Sequence, residues 1–154
     1  IKDGIRESMA SGAIAGYPVI DIKATLVDGS FDESDSSELS FKIAGTLALQ
    51  EAVRKAKPIL MEPMMSLEVI TPEEYFGAIL GDLATRRAKI GQHRQENDIQ
   101  VIHAVVPLAE MFGYATGLRN MSQGRALFTM QFLQYEKVSP DVEKKLKEKM
   151  GLAA

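Results

Sequence analysis

Apolar residues recur along this chain with two different periods, and each period marks a different kind of element. From Val19 to Val27, Ile20, Ile22, Ala24 and Leu26 alternate with Asp21, Lys23 and Thr25, the period-2 signature of a strand with one buried face. Ahead of it, residues 5–11 read as the end of a helix stopped by Gly12, with Gly16, Tyr17 and Pro18 as the exit turn. Behind it, Asp28-Gly29 is a turn pair. The loop SFDESDSSE follows, where Asp35 and Glu38 have the spacing of a capping box. The helix predicted from there to about Lys55 carries Leu39, Ile43 and Leu47 in one i, i+4 row and Ala44, Ala48 and Ala52 in the next. Such a broad apolar face is expected to lie on a sheet. Arg54, Lys55 and Lys57 complement the negative end of the helix dipole, and Pro58 blocks continuation.

The region of Pro63 is the expected domain boundary. Beyond it SLEVIT reads as a strand, and Thr71-Pro72-Glu73-Glu74 as a helix start with Thr as cap and Pro at the first helical position. Tyr75, Phe76, Ile79, Leu80 and Leu83 supply that helix's stripe, and Arg86 and Arg87 close it. AKIGQHR and IQVIHAVV are strands joined by the polar turn QEND; EMFGYATGLRNMSQ is a second helix ending at Gly124; RALFTMQFLQYEKV is a long final strand. SPDVEKKLKEKMG makes a charged terminal helix capped by Ser139 with Pro140 at its first position.

From Ser66 to Tyr135 the order is therefore βαββαβ, the ferredoxin-like plan with two pseudo-symmetric halves. EYFGAILG at Glu74 and EMFGYATG at Glu110 echo each other at an offset of 36 residues, which makes Phe76 and Phe112 equivalent anchors on the sheet. Gly77, Gly81, Gly113 and Gly117 then allow close approach of each helix to a neighbouring backbone, at a cost of about 1 kcal/mol per Gly. The alternative is a glycine face open to an RNA backbone.

Composition adds mainly exclusions. The 154 residues contain no Cys, so there is no disulfide framework, Cys-based zinc site or thiol nucleophile. His93 and His103 lack metal-ligand spacing. No apolar run reaches the roughly 18–20 residues of a membrane span, and the N-terminus has no signal-peptide plan. The net charge of −3 splits into 7 Lys/Arg against 10 Asp/Glu through Glu62 and 11 against 11 from Pro63. Neither part has the basic excess of a free nucleic-acid binder, so any RNA contact is local. There is no phosphate-binding loop, dinucleotide fingerprint or nucleophile elbow. Asp32, Glu33, Asp35 and Glu38 miss the calcium-loop pattern and read as a solvated loop and helix cap. Met61, Met64 and Met65 read as core or interdomain filler. No catalytic, metal or cofactor constellation emerges, and the opening without Met, inside a helical pattern, suggests a fragment.

Several strings go beyond fold-level similarity: AGYPVIDIKATLVDGS, DSSELSFKIAG, EAVRKAKPILMEPMM, EVITPEEYFGAILGDLATRR and PLAEMFGYATGLRNMSQGRALFTMQF. Together they resemble the C-terminal part of bacterial elongation factor G, a translational GTPase family, over essentially the whole chain. The resemblance implies an α+β chain. Residues 1–62 would be the later part of the fourth domain, a partial ribosomal protein S5 domain 2-like unit. Residues 63–154 would be the fifth, ferredoxin-like domain with a C-terminal helix. It further implies a cytoplasmic protein that binds the ribosome through rRNA, tRNA and ribosomal proteins. GTP and magnesium would belong to a GTPase domain absent here, so this piece is expected to need no cofactor and to have no enzymatic activity.

The loop Ser30, Phe31, Asp32, Glu33, Ser34, Asp35, Ser36, Ser37 matches a tip loop near the decoding region. Many family members have His where this chain has Asp32, an acid that repels phosphate unless it is solvated or metal-bridged. Arg86, Arg87, Lys89, Arg119 and Arg125 are the candidate rRNA contacts, Arg being suited to bidentate phosphate recognition. The plainer reading has Arg86 and Arg87 serving the helix dipole and the others solvated. The family's earlier strands being absent from this chain, residues 1–62 are expected to hide an apolar face on the fifth domain or on a second copy. A ribosome-recycling or ribosome-protection paralogue and, from another class, a stand-alone ferredoxin-like enzyme remain alternatives.

Overall fold

In the computed structural model, which describes residues 1–12 and 16–149, the chain divides into two compact units. One comprises residues 1–59 with 139–154, and the other residues 60–138. The boundary expected at Pro63 falls inside a strand, and the C-terminal helix groups with the first unit. Among the described residues no helix is long and apolar enough to cross a membrane.

The first unit is built on two packed helices, α1 (Lys2–Ser11) and α2 (Glu38–Lys55). Gly12, at φ 74°, ends α1 as expected. Close backbone approach is real here: a Cβ on Gly4 would lie 2.0 Å from the Lys42 carbonyl oxygen, and one on Gly45 would lie 2.7 Å from that of Ile1. The Thr46 hydroxyl donates to the carbonyls of both Gly4 and Lys42 at 3.1 Å. Consequently α2 buries Gly45, Leu49 and Val53, whereas Leu39, Ile43 and Leu47 are 64, 50 and 59% exposed. The expected apolar row is therefore not covered, because α1 takes the glycine-bearing side.

Residues 19–27 do not form the predicted strand. A strand needs a neighbour to complete its hydrogen-bond ladder, and among the described residues none pairs with this segment. The cap of α2 also differs from expectation. Ser37, not Asp35, is the N-cap, because its hydroxyl lies within 3.0 Å of the Ser40 amide. The terminal helix α5 runs Pro140–Lys149, so the Met150 and Gly151 assigned to it lie outside the described residues.

The second unit follows the predicted order: β1 (Met61–Pro72), α3 (Glu73–Thr85), β2 (Lys89–Glu96), β3 (Ile99–Pro107), α4 (Tyr114–Met121) and β4 (Leu127–Lys137). Its four-stranded antiparallel sheet has the order β2-β3-β1-β4, the ferredoxin-like topology. Leu67 and Val69 of β1 and Ile102 and Val106 of β3 meet Tyr75, Ile79 and Leu83 of α3 and Tyr114 and Leu118 of α4 in one core. Ser66, Glu68 and Ile70 alternate with the core residues of β1 and so lie on the opposite face of the sheet. A bulge between Met64 and Met65 shifts the register with β4.

Helix starts in this unit depend less on side-chain caps than the sequence suggests. Thr71 sits in the ladder opposite Gln100 and does not cap α3. The Glu73 amide donates instead to the Asp98 carbonyl at 3.0 Å, in the turn between β2 and β3. The second half of the echo departs further. After Pro107 the chain makes a single 3-10 turn (Leu108–Glu110), and Gly113 at φ 74° delays the helix to Tyr114. Phe112 is left 82% exposed rather than anchored, while Phe76 packs against the core. The buried positions repeat as Tyr75/Tyr114, Ile79/Leu118 and Leu83/Ser122, three residues out of step with the sequence echo. At eight residues α4 is below the roughly 12–15 needed by an isolated helix. Burial of Leu118 alone contributes about 1.5–3 kcal/mol to holding it in place.

The helical glycines of this unit do not serve close packing. A Cβ on Gly77, Gly81 or Gly113 would meet nothing within 4 Å, and one on Gly117 would meet only the Arg86 guanidinium at 3.7 Å. Gly113 is required for its left-handed φ. Gly77 and Gly81, four residues apart on the exposed side of α3, have no steric requirement among the described residues.

Candidate functional site

The loop Ser30–Ser37 is exposed yet internally ordered by its own hydrogen bonds. Asp32 Oδ1 accepts from the Ser34 amide at 2.8 Å and from the Ser34 hydroxyl at 2.6 Å. The Asp32 amide donates to Ser36 Oγ at 2.9 Å, and the Ser36 amide to the Asp32 carbonyl, also at 2.9 Å. The Ser34 hydroxyl, and after it the Ser34 amide, hold the Asp32 carboxyl below its ordinary value. Phe31 stacks on Phe41 of α2 with centroids 6.3 Å apart. Asp32 thus serves as a loop organiser, and its charge is anchored inside the turn. Among the described residues no three acid or imidazole groups converge to hold a metal ion.

Four of the five candidate cations are already engaged by acids of the same unit. Arg86 Nε donates to Asp82 at 2.7 Å and Nη1 to the Glu110 carbonyl at 2.5 Å, with the guanidinium over the Tyr114 ring. Arg87 forms a bidentate pair with Glu62 at 3.0 and 2.8 Å, and its Nε reaches Glu110 at 2.9 Å. Those bonds, Glu62 first, raise the Arg87 pKa. Lys89 pairs with Glu136 at 2.6 Å, a bond that leads the lowering of the Glu136 pKa. Arg125 Nη1 lies 2.8 Å from Glu74, and its guanidinium sits over the Tyr75 ring while donating to the Tyr75 hydroxyl. Arg119, exposed on α4, has no such partner among the described residues.

Helix-dipole service for Arg86 and Arg87 and free solvation for Lys89 and Arg125 therefore miss the arrangement, whereas Arg119 is exposed as the solvated reading has it. Asp82 to Arg86 is an i, i+4 pair and was legible in the sequence. Glu62, Glu110, Glu74 and Glu136 are brought in by tertiary packing from 25, 23, 51 and 47 residues away. Chemically, the Glu62–Arg87–Glu110 triad joins β1, the end of α3 and the 3-10 turn ahead of α4. Since such forks are satisfied, a phosphate would have to displace a carboxylate to reach them.

The fold and these surfaces define an α+β chain whose ferredoxin-like unit presents fixed charge on a rigid scaffold. Family comparison places it: residues 1–57 match "Elongation factor G, domain IV" and residues 59–146 match "Elongation factor G C-terminus". The chain belongs to the elongation factor G family. It is 54% identical over 146 residues to an elongation factor G of Fervidobacterium nodosum, covering 95% of this chain and 21% of that protein. A crystal structure of a Thermus thermophilus protein superposes with a TM-score of 0.86 at 37% identity, covering 99% of this chain and 23% of the other. The chain thus spans about a fifth of the length of the relatives it matches.

Proposed function

We propose that this chain is the ribosome-contacting part of an elongation factor G-type translation factor, acting in the cytoplasm as a lever and contact surface rather than a catalyst. The observation that carries the reading is the consecutive match of residues 1–57 and 59–146 to two domains of that family, in order. In this reading GTP hydrolysis with magnesium belongs to a separate domain, and these two units transmit its shape change to tRNA and mRNA. The preordered loop Ser30–Ser37 is the tip that enters the decoding region. On the second unit, Gly77 and Gly81 leave one side of α3 without side-chain bulk where rRNA backbone can approach. Among the five cations Arg119 is the one not paired with an acid among the described residues, so it is the first choice for a phosphate contact.

Co-sedimentation of the chain with bacterial ribosomes tests this. Binding that is competed by full-length elongation factor G and weakened by Arg119→Glu is expected. A chain that stays in the supernatant at micromolar ribosome concentrations would refute the ribosome contact, and GTP turnover by the chain alone would refute the non-catalytic role.

A further inference from the structure

The sheet face turned away from α3 and α4 carries a carboxylate that none of the contacts above uses. Glu68 lies mid-strand on β1, with His103 of β3 directly across on one side and Thr129 of β4 on the other. Ser66 and Gln131 pair in the adjacent row, and these residues with Met130 line a shallow cleft. The Glu68 carboxylate is about half exposed, and its 3.6 Å separation from His103 Nδ1 is longer than a hydrogen bond. No donor among the described residues satisfies it, so both oxygens keep their acceptor capacity. The row on the other side is aliphatic across β3, β1 and β4, with Val101, Ile70 and Leu127, and continues to Arg94 on β2.

We propose that this cleft is a protein-docking seat that takes an arginine side chain from a protein segment outside this chain. A guanidinium presents a planar fork of donors that fits a carboxylate bidentately. The hydroxyls of Ser66 and Thr129 and the amide oxygen of Gln131 are acceptors for its remaining N–H groups. The aliphatic stem of the arginine has Ile70 and Leu127 to lie on. A nucleic acid fits poorly. Sheet faces that read single strands offer aromatic rings for stacking and cations for phosphate. These rows contain no Phe, Tyr or Trp and have a carboxylate at their centre, and the cations that continue them on β2, Lys89 and Arg94, are paired with Glu136 and Glu96. The seat depends on this local chemistry alone and stands or falls independently of the ribosome reading.

The test is a titration of the isotope-labelled chain, followed by amide NMR shifts, with N-acetyl-arginine amide as the probe. The neutral isostere N-acetyl-citrulline amide and a single-stranded uridine oligonucleotide are run in parallel. Saturable shifts confined to the strands around Glu68, His103, Thr129 and Gln131 are expected. Both the citrulline probe and the Glu68→Gln variant should weaken them about tenfold, the loss of one charge-assisted pair. Shifts scattered over all acidic residues, or unchanged by citrulline, would overturn the proposal. So would an oligonucleotide that moves this row when arginine does not. Because the citrulline comparison uses the unaltered chain, it decides the matter even if Glu68→Gln fails to fold.

Discussion

Replacing Gly81 by Ala tests what the glycines of α3 are for. Helix-interior Gly is about 0.8–1.0 kcal/mol less favourable than Ala. A Cβ at Gly81 or Gly77 meets nothing within 4 Å, and neither residue has positive φ, so nothing in the second unit offsets that term. Gly81→Ala should therefore stabilise the unit by about 1 kcal/mol, and Gly77→Ala by a similar amount. For a domain of this size that corresponds to a rise in Tm of about 4–8 °C per substitution. The same exchange at Gly4 has the opposite sign, because its Cβ would fall 2.0 Å from the Lys42 carbonyl oxygen, against backbone that cannot swing aside. Urea and thermal unfolding followed by circular dichroism measure all three. Because the chain has two compact units, a probe in each, such as amide exchange, assigns the transition. A fall in stability for Gly77→Ala and Gly81→Ala would refute the reasoning and restore close packing as their role. If both stabilise the fold yet weaken ribosome co-sedimentation, the glycines are kept for an external partner.

Burial pushes the Tyr114 hydroxyl up to about 12 from 10.0. The folded state therefore holds that proton more tightly, and stability present below pH 10 should be lost as pH rises through about 12. Tyr114→Phe should remove this fall in a pH series of unfolding curves. At neutral pH it should be neutral or stabilising by up to about 1 kcal/mol, since the buried hydroxyl has no hydrogen-bond partner among the described residues. Arg87→Met removes the bidentate partner of Glu62, whose side chain is only 13% exposed, and should cost about 1–3 kcal/mol in denaturant unfolding. A loss under a few tenths would mean the triad is ornamental. NMR titration of Asp32 should give a pKa below the ordinary carboxylate range that returns toward it in Ser34→Ala. No change on that substitution would show that the turn is not ordered by these bonds.

The ferredoxin-like unit was legible because its signals are local. Alternation in β3, the stripe of Tyr75, Ile79 and Leu83, the Asn97-Asp98 turn and the Gly124 stop each operate within a few residues. The same locality misled in the first unit. Residues 19–27 have the composition of a strand, but a ladder needs a second chain segment, which alternation does not reveal. Leu39, Ile43 and Leu47 form a valid apolar row, yet the direction in which α2 packs was set by two glycines that allow α1 to approach. In the echo, identical letters at Phe76 and Phe112 met different backbones, because one left-handed glycine moved the second helix start past Phe112.

The candidate surfaces divide in the same way. Which residues carry charge, and which loop is acid-rich, were fixed by the amino-acid order alone. Whether those charges are available was not. Glu62 and Glu110 reach Arg87 across more than twenty residues of sequence, and Glu68 has no hydrogen-bond donor among the described residues because of what lies beside it on neighbouring strands, His103 standing 3.6 Å away. Local spacing constrains dihedrals and periodicity, whereas pairing and desolvation depend on contacts that exist only after the chain has closed on itself.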